Sequence, residues 1–183
     1  MSILEKPNSD LVQRYIARFD NENKSTEQTI NWLVKKFPLN IDFEEIYTKV
    51  RVINVLYASR VSAVKRMAEN IQKRNIDNDL KNGHIELVKE ISIIPTIKNL
   101  YVSFASKYCN WHNQKAYPIY DSRARKAIIA YRDQEDNFNF KKKELEHYYD
   151  FRKILDEFMK HYNLTHFSYK EIDKFLWMRG KEL

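Results

Sequence analysis

Glycine is nearly missing from this chain of 183 residues, which has only Gly83 and Gly180, alongside four prolines. Sandwiches, barrels and doubly wound sheets need many turns at positive φ, which glycine supplies with least strain. So small a supply points to helices joined by short connections. It also excludes sites built on clustered glycines, the Walker P-loop and the G-x-G-x-x-G dinucleotide turn among them. The single cysteine, Cys109, excludes an internal disulfide and a thiolate metal cluster. No window approaches the ~18 apolar residues a membrane span needs. Residues 1–8 hold no apolar run of signal-peptide length. The expectation is a cytoplasmic protein with no membrane partner, no metal and no cofactor.

What the chain has in quantity is aromatic and basic. It is 43% hydrophobic and 14% aromatic, enough to bury a core, and its formal charge of +7 favours a polyanionic partner. Helical spacing places Leu11, Val12, Tyr15, Ile16 and Phe19 on one face, over residues 9–22. Ser25-Thr-Glu-Gln28 has capping-box spacing and predicts a second helix start, ending at Pro38. Asp42 is placed to cap a third helix, and residues 61–74 form a fourth with Lys65, Arg66, Lys73 and Arg74 outside. Residues 75–83 read as a loop and residues 84–94 as a short helix stopped at Pro95. An apolar helix is predicted from Thr96 to His112, then one from Asp121, and a polar stretch over residues 133–143. A long helix carries Tyr148 to Tyr162, and Ser168-Tyr-Lys-Glu171 caps the last, which is expected to end near Gly180. The fold class is all-α, an array of about nine helices. Residues 1–183 read as one domain in two lobes, a core at about 25–132 and the terminal helices, 1–24 and 144–183, packing together.

Few stretches carry chemistry. Cys109-Asn-Trp-His112 offers two metal ligands at a plausible spacing, but zinc needs three or four and no second pair accompanies them. No Ser-His-Asp arrangement or G-x-S-x-G elbow is present. The informative stretch is Tyr117-Pro-Ile-Tyr-Asp-Ser-Arg-Ala-Arg-Lys126: a short aromatic loop, then a carboxylate at the first turn of a basic helix. Asp121 there has a plain structural role, accepting free backbone N–H groups for about 1 kcal/mol of capping. The same geometry also suits a nucleic acid. A helix N-terminus flanked by Arg and Lys is a ready phosphate site, and aromatics beside a carboxylate suit a flipped nucleotide.

The stretch resembles the helix-hairpin-helix DNA glycosylase superfamily around its catalytic aspartate. Mismatch-acting adenine glycosylases have a phrase like F-P-I-L-D-G-N-V-K-R there, similar in Pro118, Ile119, Asp121 and the basic pair. Archaeal 8-oxoguanine glycosylases have an F-A-x-K helix similar to Phe104-Ala-Ser-Lys107. Upstream, Phe43-Glu-Glu-Ile-Tyr47 and Val55-Leu-Tyr-Ala-Ser-Arg-Val-Ser62 are similar to the early helix and the L-S-x-Q-x-T turn of endonuclease III relatives. Together these span roughly residues 43–130, in the family's order.

The resemblance implies a glycosylase-like fold that binds duplex DNA in a salt-dependent way. It implies a monofunctional N-glycosylase in which Asp121 stabilises the sugar cation and activates water. Arg123, Arg125 and Lys126 would hold phosphates, and Tyr57, Arg60, Lys98 and Asn99 would meet the duplex. Tyr101, Ser103, Tyr108, Trp111 and His112 would line the pocket. The chain departs from the family in two places. The family's L-P-G-V-G hairpin reads Ile97-Lys-Asn-Leu-Tyr101 here, with Asn99 and Tyr101 at the glycine positions. Ser103 stands where lyase-competent members carry lysine, and Lys107 lies about 5.4 Å further along the helix as the substitute amine. The family's iron–sulfur cysteines are missing. Two other classes remain open, a non-catalytic nucleic-acid-binding module and a helical interaction protein.

Overall fold

The computed structural model describes residues 4–95 and 97–183. Among them the fold is all-helical, with nine α-helices, one 3₁₀ turn and no strand. A lone antiparallel bridge joins Ile93 and Leu100. The chain divides into two units, a central one of Asn23–Ile119 and a terminal one of Met1–Glu22 with Tyr120–Leu183.

The first helical run, α1, spans Ser9–Lys36 and is shared between them. It is interrupted at Asn23, whose φ of −117° and ψ of 15° are not helical. The run is therefore two helices meeting at Asn23, just before the Ser25 box and close to the boundary the sequence predicts.

In the central unit follow α2 (Phe43–Leu56), α3 (Val64–Arg74), α4 (Asp77–Asn82), α5 (Glu86–Ser92) and α6 (Val102–His112). Asp42 caps α2 as expected, accepting from the Glu45 amide at 3.0 Å. α2 packs on α3 and α6, and α5 on α6. Ile46, Val50, Ile53, Met67, Ile71, Val88, Ile91, Phe104 and Tyr108 are buried. The loop expected over residues 75–83 contains α4 instead. Its short turn ends on Gly83, at a φ of +69° that suits glycine. The expected start at Thr96 lies outside the described residues. Residues 97–101 are not helical, because the Tyr101 amide turns back to the Ser92 carbonyl at 3.0 Å and α6 begins only at Val102.

In the terminal unit, α7 (Ser122–Arg132) packs on α9 (Tyr169–Glu182), and a 3₁₀ turn (Lys142–Glu146) leads into α8 (Tyr148–His161). Ser168 and Glu171 form the predicted capping box. Helix α7, grouped by its sequence position with residues 25–132, belongs to this unit. Tyr131 contacts Phe158 and Phe175, and from α1 Tyr15 meets Phe175 and Phe19 meets Trp177. Helix α9 ends at Glu182, near Gly180 as expected. Gly180 itself lies inside the last turn, where a Cβ would stand 2.1 Å from the Arg123 carbonyl oxygen.

Candidate functional site

Helix α6 carries two stripes of side chains, each at i, i+4, i+8 spacing. The first is Ser103, Lys107 and Trp111. Lys107 is 3% exposed, and its ammonium donates to Ser103 Oγ at 2.6 Å. Helical side chains lean toward the N-terminus, so the lysine one turn on delivers its Nζ beside the Ser103 hydroxyl. Nζ also lies 5.5 Å from the centre of the Tyr57 ring, a cation–π distance. Tyr57 is fixed in turn: its hydroxyl donates to Glu27 Oε1 at 3.3 Å and accepts from Trp111 Nε1 at 3.1 Å. Tyr101, at the α6 N-terminus, hydrogen-bonds Ser62 at 3.0 Å. The central unit thus gathers Tyr57, Ser103, Lys107 and Trp111 around one buried amine, with Tyr101 tied to the turn that follows Tyr57. Glu27 and Ser62 belong to this arrangement, and no sequence pattern marked them.

Tyr57 closes α2, and the turn after it holds Ala58 at φ 47° and Arg60 at φ 59°. Left-handed backbone at residues other than Gly or Asn stores roughly 1–3 kcal/mol each and persists only where surroundings hold it. Asn54 does so, with its amide bonded to the Val61 carbonyl and the Val61 amide to its oxygen. Arg60, Lys98 and Asn99 are exposed.

The second α6 stripe is Phe104, Tyr108 and His112, and it faces a different set of partners. Tyr108 donates to Asn40 Oδ1 at 2.5 Å, and its ring lies against His112. Asn40 is held by Asp77, whose carboxylate accepts from the Asn40 backbone and side-chain amides. Lys49, wholly buried, donates to the carbonyls of Phe37 and Leu39 and to Asn40 Oδ1 at 2.7–3.0 Å. Burial pushes the Lys49 ammonium down to about 8, against the pull of Asp77 and Glu45. Burial, helped by the Lys49 charge, holds His112 neutral, down to about 3. His112 lines a shallow groove of about 580 Å³ with Pro38, Leu39, Asp77 and Lys81. As pocket walls beside Lys107, Tyr108 and His112 are therefore corrected. Successive helix positions turn by ~100°, which carries their stripe toward Asn40. A lysine inside the apolar stripe Ile46, Lys49, Val50, Ile53 was the sequence signal for this network.

In the terminal unit Asp121 caps α7, accepting from the Arg123 amide at 2.9 Å. Arg123 is exposed and stacks on Trp177, 4.2 Å from the ring centre. Arg125 turns inward, over the Tyr120 ring with its Nη1 donating to the Tyr120 hydroxyl at 3.0 Å. That contact turns it away from the expected phosphate set: Nη1 is shared between the Tyr120 hydroxyl and the Leu145 carbonyl, and Nε is buried. Lys126 is exposed. Among the described residues no group of three His, Cys, Asp or Glu side chains is placed to hold a metal. No helix there is long and apolar enough to cross a membrane.

Fold and site together define an all-helical protein of two units whose central unit holds a buried lysine among aromatics. The chain belongs to the family described as HI_0787_N, N-terminal domain, whose model matches residues 11–116. It is similar to an uncharacterized protein of Haemophilus influenzae, 35% identical over 145 residues, which covers 76% of this chain and 68% of the relative. No solved structure matches. The matched span holds Tyr57, Arg60, Ser103, Lys107 and Trp111, whereas Asp121 and the basic turn of α7 follow it.

Proposed function

We propose that this protein is a cytoplasmic DNA-binding enzyme of the glycosylase type, releasing a damaged or modified base, with Lys107 as its amine. The observation that carries the reading is the Lys107 Nζ beside Ser103 Oγ, at the helix position where lyase-competent glycosylases hold their lysine. A desolvated amine next to aromatic walls is suited to covalent catalysis. Lys107 Nζ attacks C1′ of the deoxyribose, and the C1′–N bond breaks. The base leaves with the electron pair and takes the proton given up by the amine, after which the C1′ adduct opens to an imine. The net charge of +7 supports a polyanionic substrate. A second reading, a binding module without catalysis, is favoured by Asp121 serving the Arg123 amide and by side chains at the hairpin glycine positions.

Base release from duplexes bearing deaminated, oxidised or alkylated bases, with borohydride present, tests the proposal. A covalent protein–DNA adduct is expected with the wild type and is lost in Lys107→Met. Neither release nor trapping across the panel, with DNA still bound, would leave the binding module.

A further inference from the structure

Two serines of α6 use their hydroxyls differently. Ser106 donates to the Ser103 carbonyl three residues back, at 3.1 Å, the usual local bond of a helical serine. Ser103 is the second residue of α6, and residues 97–101 before it are not helical, so it has no helical carbonyl one turn back. Its oxygen accepts from Lys107 Nζ at 2.6 Å, and among the described residues no acceptor takes its hydrogen. A serine hydroxyl donates and accepts at once, so this one is only half used. It is also the more open member of the pair, half-buried where Lys107 is covered.

The unused hydrogen meets a need of the proposed reaction. Once Nζ is bonded to C1′ it carries a proton to lose, and an uncharged base departing with the electron pair has one to gain. Ser103 Oγ is within hydrogen-bond reach of Nζ, and its own hydrogen is left for the base. The transfer balances: Oγ takes one proton from Nζ and gives its hydrogen to a ring nitrogen or carbonyl oxygen of the base. The serine ends as it began. Tyr57, the other hydroxyl-bearing side chain beside Nζ, is already committed, donating to Glu27 and accepting from Trp111.

We infer that the Ser103 hydroxyl relays a proton from Lys107 to the departing base, and that the substrates are bases uncharged in the duplex, deaminated or oxidised ones. A base alkylated on a ring nitrogen is already cationic, leaves as a neutral molecule and has no use for the relay. The inference rests on the Lys107 reading. The test measures single-turnover release by the full chain from duplexes carrying uracil, hypoxanthine or 8-oxoguanine, and from one carrying 7-methylguanine. Ser103→Ala is expected to slow the uncharged bases about 100-fold more than 7-methylguanine, as loss of general acid catalysis does. Any harm to the Lys107 amine is common to both kinds of base and cancels in that ratio. Alanine favours the helix, and Ser103→Thr, which keeps a hydroxyl, is expected to restore most of the ratio. Should the wild type release uncharged bases only, the ratio is read between uracil and 5-fluorouracil, whose anion leaves more easily. If Ser103→Ala slows both members of the pair alike, or neither, the relay is overturned and the Lys107 reading stands. Release of 7-methylguanine alone by the wild type would overturn it as well. If the wild type neither releases nor traps any of these bases, both fall.

Discussion

Replacing Gly180 by alanine sets two effects of opposite sign against each other. Alanine inside a helix is favoured over glycine by about 1 kcal/mol, and Gly180 sits in the last turn of α9. Yet the new Cβ would lie 2.1 Å from the Arg123 carbonyl oxygen, 2.6 Å from its carbon and 2.8 Å from its Cα. All three are backbone atoms in the first turn of α7, so no side chain can swing aside. Restoring van der Waals contact moves the helices apart by roughly 1 Å, and a gap of that size forfeits up to about half of each dispersion contact. Ala124, Ala127 and Ile128, buried on α7, are exposed to that loss. Overpacking of this kind costs typically 1–3 kcal/mol and occasionally more, so the upper end should prevail. A net loss of about 2 kcal/mol is expected, which for a chain of this size lowers Tm by roughly 4–8 °C. Urea unfolding of both proteins, with the m-value unchanged, gives the number. A Gly180→Ala variant as stable as the wild type would refute the claim that glycine here sets the α7–α9 approach.

Three further outcomes concern the central unit. His112 binds a proton less readily folded than unfolded, so stability should fall as pH drops from 6.5 toward 3, by at most about 5 kcal/mol. His112→Phe should flatten that slope in urea titrations at pH 4.5 and 7. Lys49 has the same sign in another window, with stability rising between pH 8 and 10.5. Lys49→Met takes the ammonium from the Phe37 and Leu39 carbonyls and leaves Asn40 Oδ1 with Tyr108 alone, and should destabilise by about 3–5 kcal/mol; an unchanged unfolding midpoint would contradict the network. Tyr57→Phe removes the hydroxyl between Glu27 and Trp111 and should cost about 1–2 kcal/mol. A changed tryptophan emission should report the loss, and an identical spectrum and midpoint would count against it.

What could be read from the sequence was whatever chemistry the chain carries locally. The Asp42 cap, the Ser168 box and the scarcity of glycine each act within a few residues, and the helices they predict are present. The failures occur where a distant partner decides. Helix α4 is a polar stretch held from outside, by Asn40 on Asp77 and by the Tyr117 hydroxyl on the carbonyls of Asp79 and His84. The packing role of Gly180 was not legible, because close approach of another helix leaves no trace in a helical period. The i, i+4 relation of Ser103 and Lys107 was legible, whereas the role of Tyr57 needed the fold to bring α2 and α6 together.

The division of the chain at Asn23 has a consequence for synthesis. The central unit is continuous in sequence, but the terminal unit is assembled from both ends of the chain. Tyr15 and Phe19 find their ring partners on α9, and Asp20 its ion pair with Lys174. At ribosomal speeds, the first half of α1 waits on the order of ten seconds for those partners to be made. During that interval its apolar face has no native cover. Chaperone capture of nascent chains should therefore peak before α9 emerges, while the central unit is already able to close.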